Sequence, residues 1–316
     1  MSTMSIVNGT VLCPGQGAQA VGMGQAWSDA SEVAKAVFDE ADAVLGDTLG
    51  APLSTLCFTG PSEALNKTNV SQPAIYTCSV ACWRALHGDA RPAVAAGLSL
   101  GEWTALHLAG AFSFADGLKL VATRGSLMQS AAEACDGGMV ALMGPDESEA
   151  EVMCQEIVDA QGGVLVPANL NAPGQVVISG DAAACEQAVA VCAERGWRAT
   201  PLTVAGAFHS AHMTPAAESM AEVLSETPIT APMTEVWSNV TAAPYPVDDV
   251  DAMRALLVAQ ITSPVRWSAQ MAAMVAAGKT GWTELAPGKV LRGLMRRIDR
   301  GAKVVNHDQP GTTATT

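Results

Sequence analysis

Residues 93–101 read Ala93-Val94-Ala95-Ala96-Gly97-Leu98-Ser99-Leu100-Gly101 and predict a strand that turns abruptly into a helix. The first four residues are typical of a buried strand, and a long apolar pattern at helical spacing follows. Glycines two residues before and two residues after Ser99 permit a tight turn that exposes the hydroxyl beside backbone N–H groups. Ser99 is therefore the candidate nucleophile for acyl transfer, and a glycine-rich turn without chemistry is the alternative interpretation.

On both sides of this turn the hydrophobic pattern alternates between strands and helices. Residues 138–203 have the order strand, helix, strand, strand, helix, strand, which is the split pattern of ferredoxin-like units. Before the turn, the pattern predicts a strand over 5–13 and an apolar helix that begins at Ser71-Gln72-Pro73. After it, helices are predicted to about 109 and over 115–134, 214–227, 250–260, 266–278 and 289–303, with strands over 234–238 and 281–285.

The predicted fold class is α/β: an α/β-hydrolase-like core with a parallel sheet, plus an inserted ferredoxin-like small subdomain. Residues 1–136 and 205–310 are expected to form the large domain, 137–204 the subdomain, and 311–316 a disordered tail. A chain of 316 residues is long enough to bury a substantial core.

Composition limits the classes of partner. Thirty-one acidic against seventeen basic residues give a formal net charge of −14, which argues against nucleic-acid binding. No run reaches the roughly 18 uncharged apolar residues of a membrane span, and no secretory signal is visible. The eight cysteines form no Cys-x-x-Cys pair and predict buried thiols in a reducing compartment. We therefore expect a cytoplasmic protein without a membrane partner. A monomer is the expected oligomeric state, although composition does not determine it.

A serine nucleophile needs a base, and five histidines are available. His209 is the candidate because it follows the last predicted strand of the subdomain, where a loop would return to the edge of the main sheet. A purely structural histidine is the alternative. His212 would form a metal pair with His209 only if further ligands accompanied it, and the sequence offers no such cluster. We therefore expect no metal.

Arg124 is predicted to lie on the apolar face of its helix, four residues after Leu120 and four before Met128. A buried charge needs a partner. One interpretation is an internal ion pair with an Asp or Glu of the fold. The other is a guanidinium fork that binds a ligand carboxylate at the floor of a pocket.

The segment Gly15-Gln16-Gly17-Ala18-Gln19-Ala20 follows a strand and matches the loose dinucleotide-binding fingerprint, so a nucleotide-binding oxidoreductase is an alternative. That fold needs a second strand ending in an acidic residue about twenty residues on. Residues 27–46 predict helix instead. Gln16 is better suited to present its backbone N–H to a developing oxyanion, together with the N–H of Leu100.

A helix that opens at Pro287-Gly288 concentrates positive charge in this acidic chain. Its basic residues are Lys289, Arg292, Arg296, Arg297 and Arg300. Cations near a helix C-terminus complement the helix dipole, which is the structural interpretation. Docking of an acidic partner or of phosphates is the functional one.

Taken together, these segments resemble the malonyl-CoA:acyl carrier protein transacylases, the stand-alone acyltransferases of fatty acid and polyketide synthesis. The likeness runs from Pro14 to about Arg300 and keeps the order of seven motifs. They are Pro14-Gly15-Gln16-Gly17-Ala18-Gln19, Gly97-Leu98-Ser99-Leu100-Gly101-Glu102, Arg124-Gly125 with Met128-Gln129, Gly206-Ala207-Phe208-His209, Ser238-Asn239-Val240, Gln260 with Ser263-Pro264-Val265, and Pro287-Gly288-Lys289-Val290.

The resemblance implies malonyl-CoA as substrate, an acyl carrier protein as partner and no bound cofactor. The implied roles are acyl acceptor for Ser99, base for His209, oxyanion-hole N–H donors for Gln16 and Leu100, malonyl carboxylate ligand for Arg124, pocket residue for Gln260, and malonyl selectivity for Phe208. The histidine of such enzymes is usually steadied by backbone carbonyl groups. Many relatives carry histidine at the position of Leu98 and tyrosine at that of Trp103. These differences bear only on the detailed shape of the pocket.

Two further functions stay open at this point. One is an acyl-thioester hydrolase of the same fold, whose mark would be loss of the carboxylate-binding arginine, which this chain keeps at Arg124. The other is a non-catalytic module that docks a carrier protein, which the joint presence of Ser99, His209 and Arg124 disfavours.

Overall fold

The computed structural model describes residues 5–311, and its strands form two sheets. The strands are β1 (Ile6–Cys13), β2 (Arg91–Gly97), β3 (Gly137–Met143), β4 (Leu165–Ala172), β5 (Gln175–Asp181), β6 (Arg198–Pro201), β7 (Glu235–Val236), β8 (Trp282–Leu285) and β9 (Val305–His307). The helices are α1 (Gln25–Ala30), α2 (Glu32–Leu45), α3 (Leu53–Thr59), α4 (Ser62–Leu65), α5 (Thr68–His87), α6 (Leu100–Leu108), α7 (Phe114–Glu133), α8 (Glu147–Gln161), α9 (Ala182–Glu194), α10 (Thr214–Glu226), α11 (Val250–Thr262), α12 (Trp267–Ala276) and α13 (Val290–Ile298), with a 3₁₀ turn at Ala211–Met213.

The first sheet is parallel and has the order β7-β2-β1-β8-β9, as expected for a hydrolase-like core. Its two central strands end level with each other, because Cys13 of β1 pairs in register with Gly97 of β2. The loop after β1 and the turn after β2 therefore leave the sheet side by side. Ligands of such sheets bind at the carboxyl ends of the strands.

The second sheet is antiparallel and has the order β4-β5-β3-β6. Together with α8 and α9 it confirms the predicted βαββαβ order. A separate apolar core, which includes Val140, Leu142 and Ile178, lies between this sheet and its helices. The outer edge of β4 joins the rest of the chain where the backbone of Val265 exchanges hydrogen bonds with Ala168 and Leu170. The exact domain boundaries predicted from the sequence stay a prediction.

The predicted end of the last helix was wrong, since α13 ends at Ile298 and not near 303. The predicted start of α5 was also wrong: the helix begins at Thr68, and Pro73 lies inside it. The sequence suggested a start at Ser71 because proline is favoured in the first helical turn. The additional turn is held by tertiary contacts with α7. The backbone N–H of Thr68 donates to Oε1 of Gln129 at 3.0 Å, and Gly125 approaches the Thr68 carbonyl so closely that a Cβ there would lie 2.6 Å from its oxygen.

Two short strands also differ from the predictions. The strand predicted over 234–238 contains only Glu235–Val236, because it forms an edge and pairs with β2 at two positions. The three-residue edge strand β9 was not predicted, since its pairing with β8 is non-local. Of the predicted tail, residues 312–316 lie outside the described part of the chain.

The eight cysteines are unpaired, and seven of them are buried. Across residues 5–311 the helices include none that is both long and apolar enough to cross a membrane.

Candidate active site

Ser99 occupies a strained turn between β2 and α6, with φ 50° and ψ −104°. A positive φ is uncommon for a residue that has a Cβ atom, and the surrounding structure must hold it. The flanking glycines make the turn possible. A Cβ on Gly97 would lie 1.9 Å from the backbone carbon of Gly101, and a Cβ on Gly101 would lie 2.0 Å from the carbonyl oxygen of Cys13. The glycines at these positions are therefore required by the close approach of α6 to the ends of the central strands.

His209 reaches Ser99 from the loop after the second sheet, as the sequence predicted. Its Nε2 lies 2.9 Å from Oγ of Ser99, and its Nδ1 lies 2.9 Å from the backbone carbonyl oxygen of Gln260. A carbonyl oxygen only accepts hydrogen bonds, so Nδ1 must carry the proton in the neutral ring. Nε2 is then unprotonated and can accept the hydroxyl proton of Ser99, with a backbone carbonyl in the place of a carboxylate.

The surroundings keep the His209 ring neutral. The ring is buried, and burial together with the nearby positive charge of Arg124 lowers the pKa of His209 to about 4. Hydrogen bonds to the carbonyl groups of Gln260 and Ser263 oppose this shift. At neutral pH the imidazole is therefore in the form that can act as a base.

Arg124 lies beside Ser99 and is 1% exposed. Its Nη1 donates to Oε1 of Gln72 at 2.8 Å, and its Nη2 donates to Oγ of Ser99 at 3.1 Å and to Oε1 of Gln260 at 3.0 Å. Its Nε has no hydrogen-bond partner, and within residues 5–311 no Asp or Glu forms an ion pair with it. The internal ion pair considered above is therefore not formed.

Burial lowers the pKa of Arg124 to about 10, and the carboxylate of Glu102, which is not in contact with it, opposes the shift. The guanidinium stays charged at neutral pH. A buried cation with unused donors and no adjacent anion is suited to bind a carboxylate brought by a ligand.

Three further side chains belong to this site, and none of them was predicted from the sequence. Gln72 binds Arg124, and Asn239 accepts a hydrogen bond at Oδ1 from the backbone N–H of Ser99 at 2.7 Å. Glu102, 0% exposed, binds both Gln260 and the backbone of Asn239. Glu102 and Asn239 lie within motifs quoted above, and Gln72 is a polar residue in an apolar helix, which was the available signal.

Two backbone N–H groups near Ser99 are available to bind an oxyanion, whereas the N–H of Ser99 itself is not. That of Ser99 is taken by Asn239. Those of Gln16, in the loop after β1, and Leu100, at the start of α6, donate to no acceptor in the described part of the chain. They follow the adjacent ends of β1 and β2, and their role as an oxyanion hole stays a prediction.

Several of these residues line a cavity of about 450 Å³ between the two sheets. Gln16, Ser99, Arg124, Phe208 and His209 border it on the side of the parallel sheet. The second sheet contributes Asn169, Asn171, Gln175 and Val177, and α13 contributes Val290 and Leu294. The cavity is thus lined by both parts of the fold.

The basic residues of the last helix are exposed and lie apart from this cavity. Arg296, Arg297 and Arg300 border a separate surface depression with Pro173, and Nη2 of Arg297 donates to the carbonyl of Pro173 at 3.0 Å. Arg300 lies beyond the end of α13 rather than within it. α13 therefore borders the cavity with Val290 and Leu294, and its basic side chains lie on a different part of the surface.

Two of the other histidines have hydrogen-bond partners close by. His107 contacts the carbonyl of Phe112 at 3.1 Å, and burial lowers its pKa to about 4. His212 contacts Oδ1 of Asp181 at 2.7 Å rather than joining His209. The dinucleotide-binding alternative is not supported, because α1 and α2 occupy the region where its second strand would lie.

The profile of the acyl transferase domain matches residues 10–307. The malonyl CoA-acyl carrier protein transacylase of Salmonella typhimurium is 42% identical over 288 residues, which are 90% of this chain and 91% of that protein. Its counterpart in Bacillus subtilis is 41% identical over 303 residues, 95% and 93% of the two chains. A malonyl-transacylase solved with its type II PKS acyl-carrier protein superposes with a TM-score of 0.90 at 36% identity, covering 98% of this chain and 97% of that one.

Fold and profile define an acyltransferase. Within that class, the chain belongs to the family of malonyl CoA-acyl carrier protein transacylases.

Proposed function

We propose that this protein transfers the malonyl group from malonyl-CoA to the phosphopantetheine thiol of an acyl carrier protein, through an acyl-enzyme on Ser99. The observation that carries the proposal is the buried guanidinium of Arg124, which touches Oγ of Ser99 and has no carboxylate partner among the described residues. A malonyl thioester brings a carboxylate that lies one methylene from the carbon under attack. The arrangement of cation and nucleophile fits a short dicarboxylic acyl group.

In the first half-reaction, Nε2 of His209 takes the hydroxyl proton as Oγ of Ser99 attacks the thioester carbonyl. The N–H groups of Gln16 and Leu100 would stabilise the negative oxygen of the tetrahedral intermediate. As the intermediate collapses, the C–S bond breaks, and the imidazolium returns its proton to the departing CoA thiolate. The products are malonyl-serine and CoA.

In the second half-reaction, the roles reverse. His209 takes the proton of the pantetheine thiol, the thiolate attacks the ester, and the proton passes to the departing Oγ of Ser99. Arg124 would hold the malonyl carboxylate throughout and orient the ester toward the incoming sulfur. The two substrates use the same cavity in turn, so the kinetics are expected to be ping-pong.

We assign selectivity to Phe208, which lines the cavity, and to the fully buried Gln260, which contacts Arg124 and His209. Gln260 holds Arg124 through Oε1 and His209 through its backbone carbonyl, so it keeps cation and base in one geometry. Phe208 is 5% exposed, lines the cavity next to His209 and restricts the space beside the acyl chain. A bulky residue there favours malonate over larger branched acyl groups.

We assign carrier-protein docking to the exposed basic residues of the last helix. Lys289, Arg292, Arg296, Arg297 and Arg300 lie on or next to α13, whose Val290 and Leu294 border the cavity. In a chain of net charge −14, this cluster offers a local positive surface to an acidic carrier protein. Docking here would place the pantetheine thiol near the cavity mouth.

We also propose that 1–136 with 205–310, and 137–204, are the two structural units of the enzyme. The support is the separate sheet and separate apolar core of the second segment. The cavity between the two sheets would then lie at the junction of the units.

Intact-protein mass spectrometry tests the proposed function. The protein is mixed with malonyl-CoA, acetyl-CoA or a longer acyl-CoA and then with the phosphopantetheinylated carrier protein. We expect a malonyl adduct on the wild-type protein, none on Ser99→Ala, and transfer of the adduct to the carrier. An adduct that water removes as fast as the carrier does would instead indicate a hydrolase, and absence of any adduct would contradict the proposal.

A further inference from the structure

Glu102 is a fully buried carboxylate in the first turn of α6. Its Oε2 accepts hydrogen bonds from the backbone N–H of Asn239 at 3.1 Å and from Nε2 of Gln260 at 2.5 Å, and its Oε1 accepts one from the hydroxyl of Tyr245. Burial raises the pKa of Glu102 to about 7, and these three hydrogen bonds oppose the shift. Burying a carboxylate is costly, and the mechanism above does not use it.

The contacts of Gln260 admit only one orientation of its amide group. Its Oε1 accepts from Nη2 of Arg124 at 3.0 Å and from Nε1 of Trp103 at 3.1 Å, whereas its Nε2 donates to Glu102 and to the carbonyl of Ser99 at 2.9 Å. The reversed amide would place NH₂ against two donors and oxygen against two acceptors. Glu102 therefore helps to keep the amide oxygen directed at Arg124.

The same carboxylate oxygen supports the strained turn. Asn239 binds the backbone N–H of Ser99, and Gln260 binds its carbonyl. Both of these residues donate to Oε2 of Glu102. The peptide groups on both sides of the nucleophile are thus held by residues anchored on one acceptor.

We propose that Glu102 is a positioning residue for malonyl transfer, which acts through Gln260 to hold the Arg124 guanidinium beside Ser99. Gln260 stands between the carboxylate and the guanidinium, so the two charges are near each other but do not pair directly. A direct pair would neutralise the charge of the guanidinium that the substrate carboxylate must bind. The interposed amide fixes the guanidinium and leaves its remaining donors for the substrate. This inference rests on the proposed function.

Comparison of Glu102→Leu with Glu102→Gln tests the inference. Leucine removes the acceptor at Oε2. Glutamine keeps an oxygen there and can direct its NH₂ toward the hydroxyl oxygen of Tyr245, which accepts as well as donates. The readout is the ratio of acylation rate constants for malonyl-CoA and acetyl-CoA, which a simple loss of folded protein leaves unchanged. We expect the ratio to fall about ten-fold or more in Glu102→Leu and to stay within about two-fold of wild type in Glu102→Gln.

A matched control removes the hydrogen bond to the other oxygen of the same carboxylate. Tyr245→Phe deletes the donor to Oε1 and leaves the contacts of Oε2 with Asn239 and Gln260. We expect it to lower thermal stability while preserving the malonyl-to-acetyl ratio. A ratio that falls in Tyr245→Phe as much as in Glu102→Leu would overturn the inference.

A double substitution that exchanges the side chains of residues 102 and 260 tests the inference even if Glu102→Leu does not fold. Glu102→Gln combined with Gln260→Glu keeps the volume and the net charge but brings the carboxylate into direct contact with Arg124. We expect the malonyl-to-acetyl ratio to fall about ten-fold or more. An unchanged ratio in the swap, or equal loss with both donors in Glu102→Leu, would reject the role of Glu102 while wild-type malonylation still stands. Absence of malonylation in the wild type would reject the proposed function itself.

Discussion

Nη2 of Arg124 lies 3.1 Å from Oγ of Ser99, so the cation and the candidate nucleophile are in direct contact. An acyl group attached to Oγ can place its free carboxylate against the guanidinium only if the acyl chain is short. The contact therefore relates substrate length to the geometry of two side chains that are 25 residues apart in the sequence.

Arg124→Ala should impair malonyl transfer far more than acetyl transfer. The substitution removes the fork that binds the carboxylate, and the loss of a charge-assisted bidentate contact corresponds to about a hundred-fold or more in kcat/KM for malonyl-CoA. Arg124→Lys keeps the charge without the fork and should give an intermediate loss. Acylation rates with both donors measure the difference. Equal losses with both donors would show that Arg124 does not select the carboxylate.

The pH dependence of acylation should reflect the low pKa of His209. Histidine ordinarily titrates near pH 6.5, but burial and the charge of Arg124 lower the pKa of His209 to about 4. Since the neutral ring is the active base, protonation of His209 removes activity only near that pKa. Glu102, whose pKa burial raises to about 7, can carry its proton on Oε1 beside Tyr245 and keep Oε2 as an acceptor, so we expect a flat rate from pH 8 to about pH 5. Single-turnover acylation with malonyl-CoA measures this profile.

The same profile can be recorded for Arg124→Ala with acetyl-CoA. Loss of the nearby positive charge should raise the pKa of His209 and move the acidic limb toward neutral pH. A limb centred at pH 6.5 in the wild type would contradict the buried, neutral ring.

Gly101→Ala should prevent stable folding because of the close approach of α6 to the central strands. Its new Cβ would lie 2.0 Å from the carbonyl oxygen of Cys13, and backbone cannot move away as a flexible side chain can. We expect a loss of about 3 kcal/mol or more in the free energy of unfolding. Gly293→Ala is the matched control, since a Cβ there meets no atom within 4 Å and α13 should gain up to about 1 kcal/mol. Urea unfolding measures both, and equal stability of the two variants would refute the steric argument.

Charge reversal at Arg296 and Arg297 should slow transfer of the malonyl group to the carrier protein. The rate of that transfer should also depend less on salt concentration. Both side chains are exposed and lie outside the cavity, so acylation by malonyl-CoA should be unchanged. The control reverses the exposed lysines Lys35 and Lys119, which gives the same change in net charge. Rates of both half-reactions at several salt concentrations are compared. Equal loss in both half-reactions would assign the cluster a structural role.

Local sequence predicted most of the elements near the site. The glycine spacing around Ser99 specified the strand-to-helix turn because only glycine tolerates the contacts at Gly97 and Gly101. The helical spacing placed Arg124 on a buried face for a similar reason, since position along a helix determines which neighbours a side chain meets. The early start of α5 could not be predicted, because it depends on a contact with Gln129 of α7.

The residues by themselves thus determined the fold class, the turn at Ser99 and the burial of Arg124, since each follows from local spacing and hydrophobic pattern. Tertiary structure showed that no Asp or Glu of the described residues pairs with Arg124, and it brought in Gln72, Glu102 and Asn239. The physical reason is that hydrogen-bond partners of buried polar groups come from segments far apart in the chain. Their pairing depends on how the helices pack and not on the order of residues.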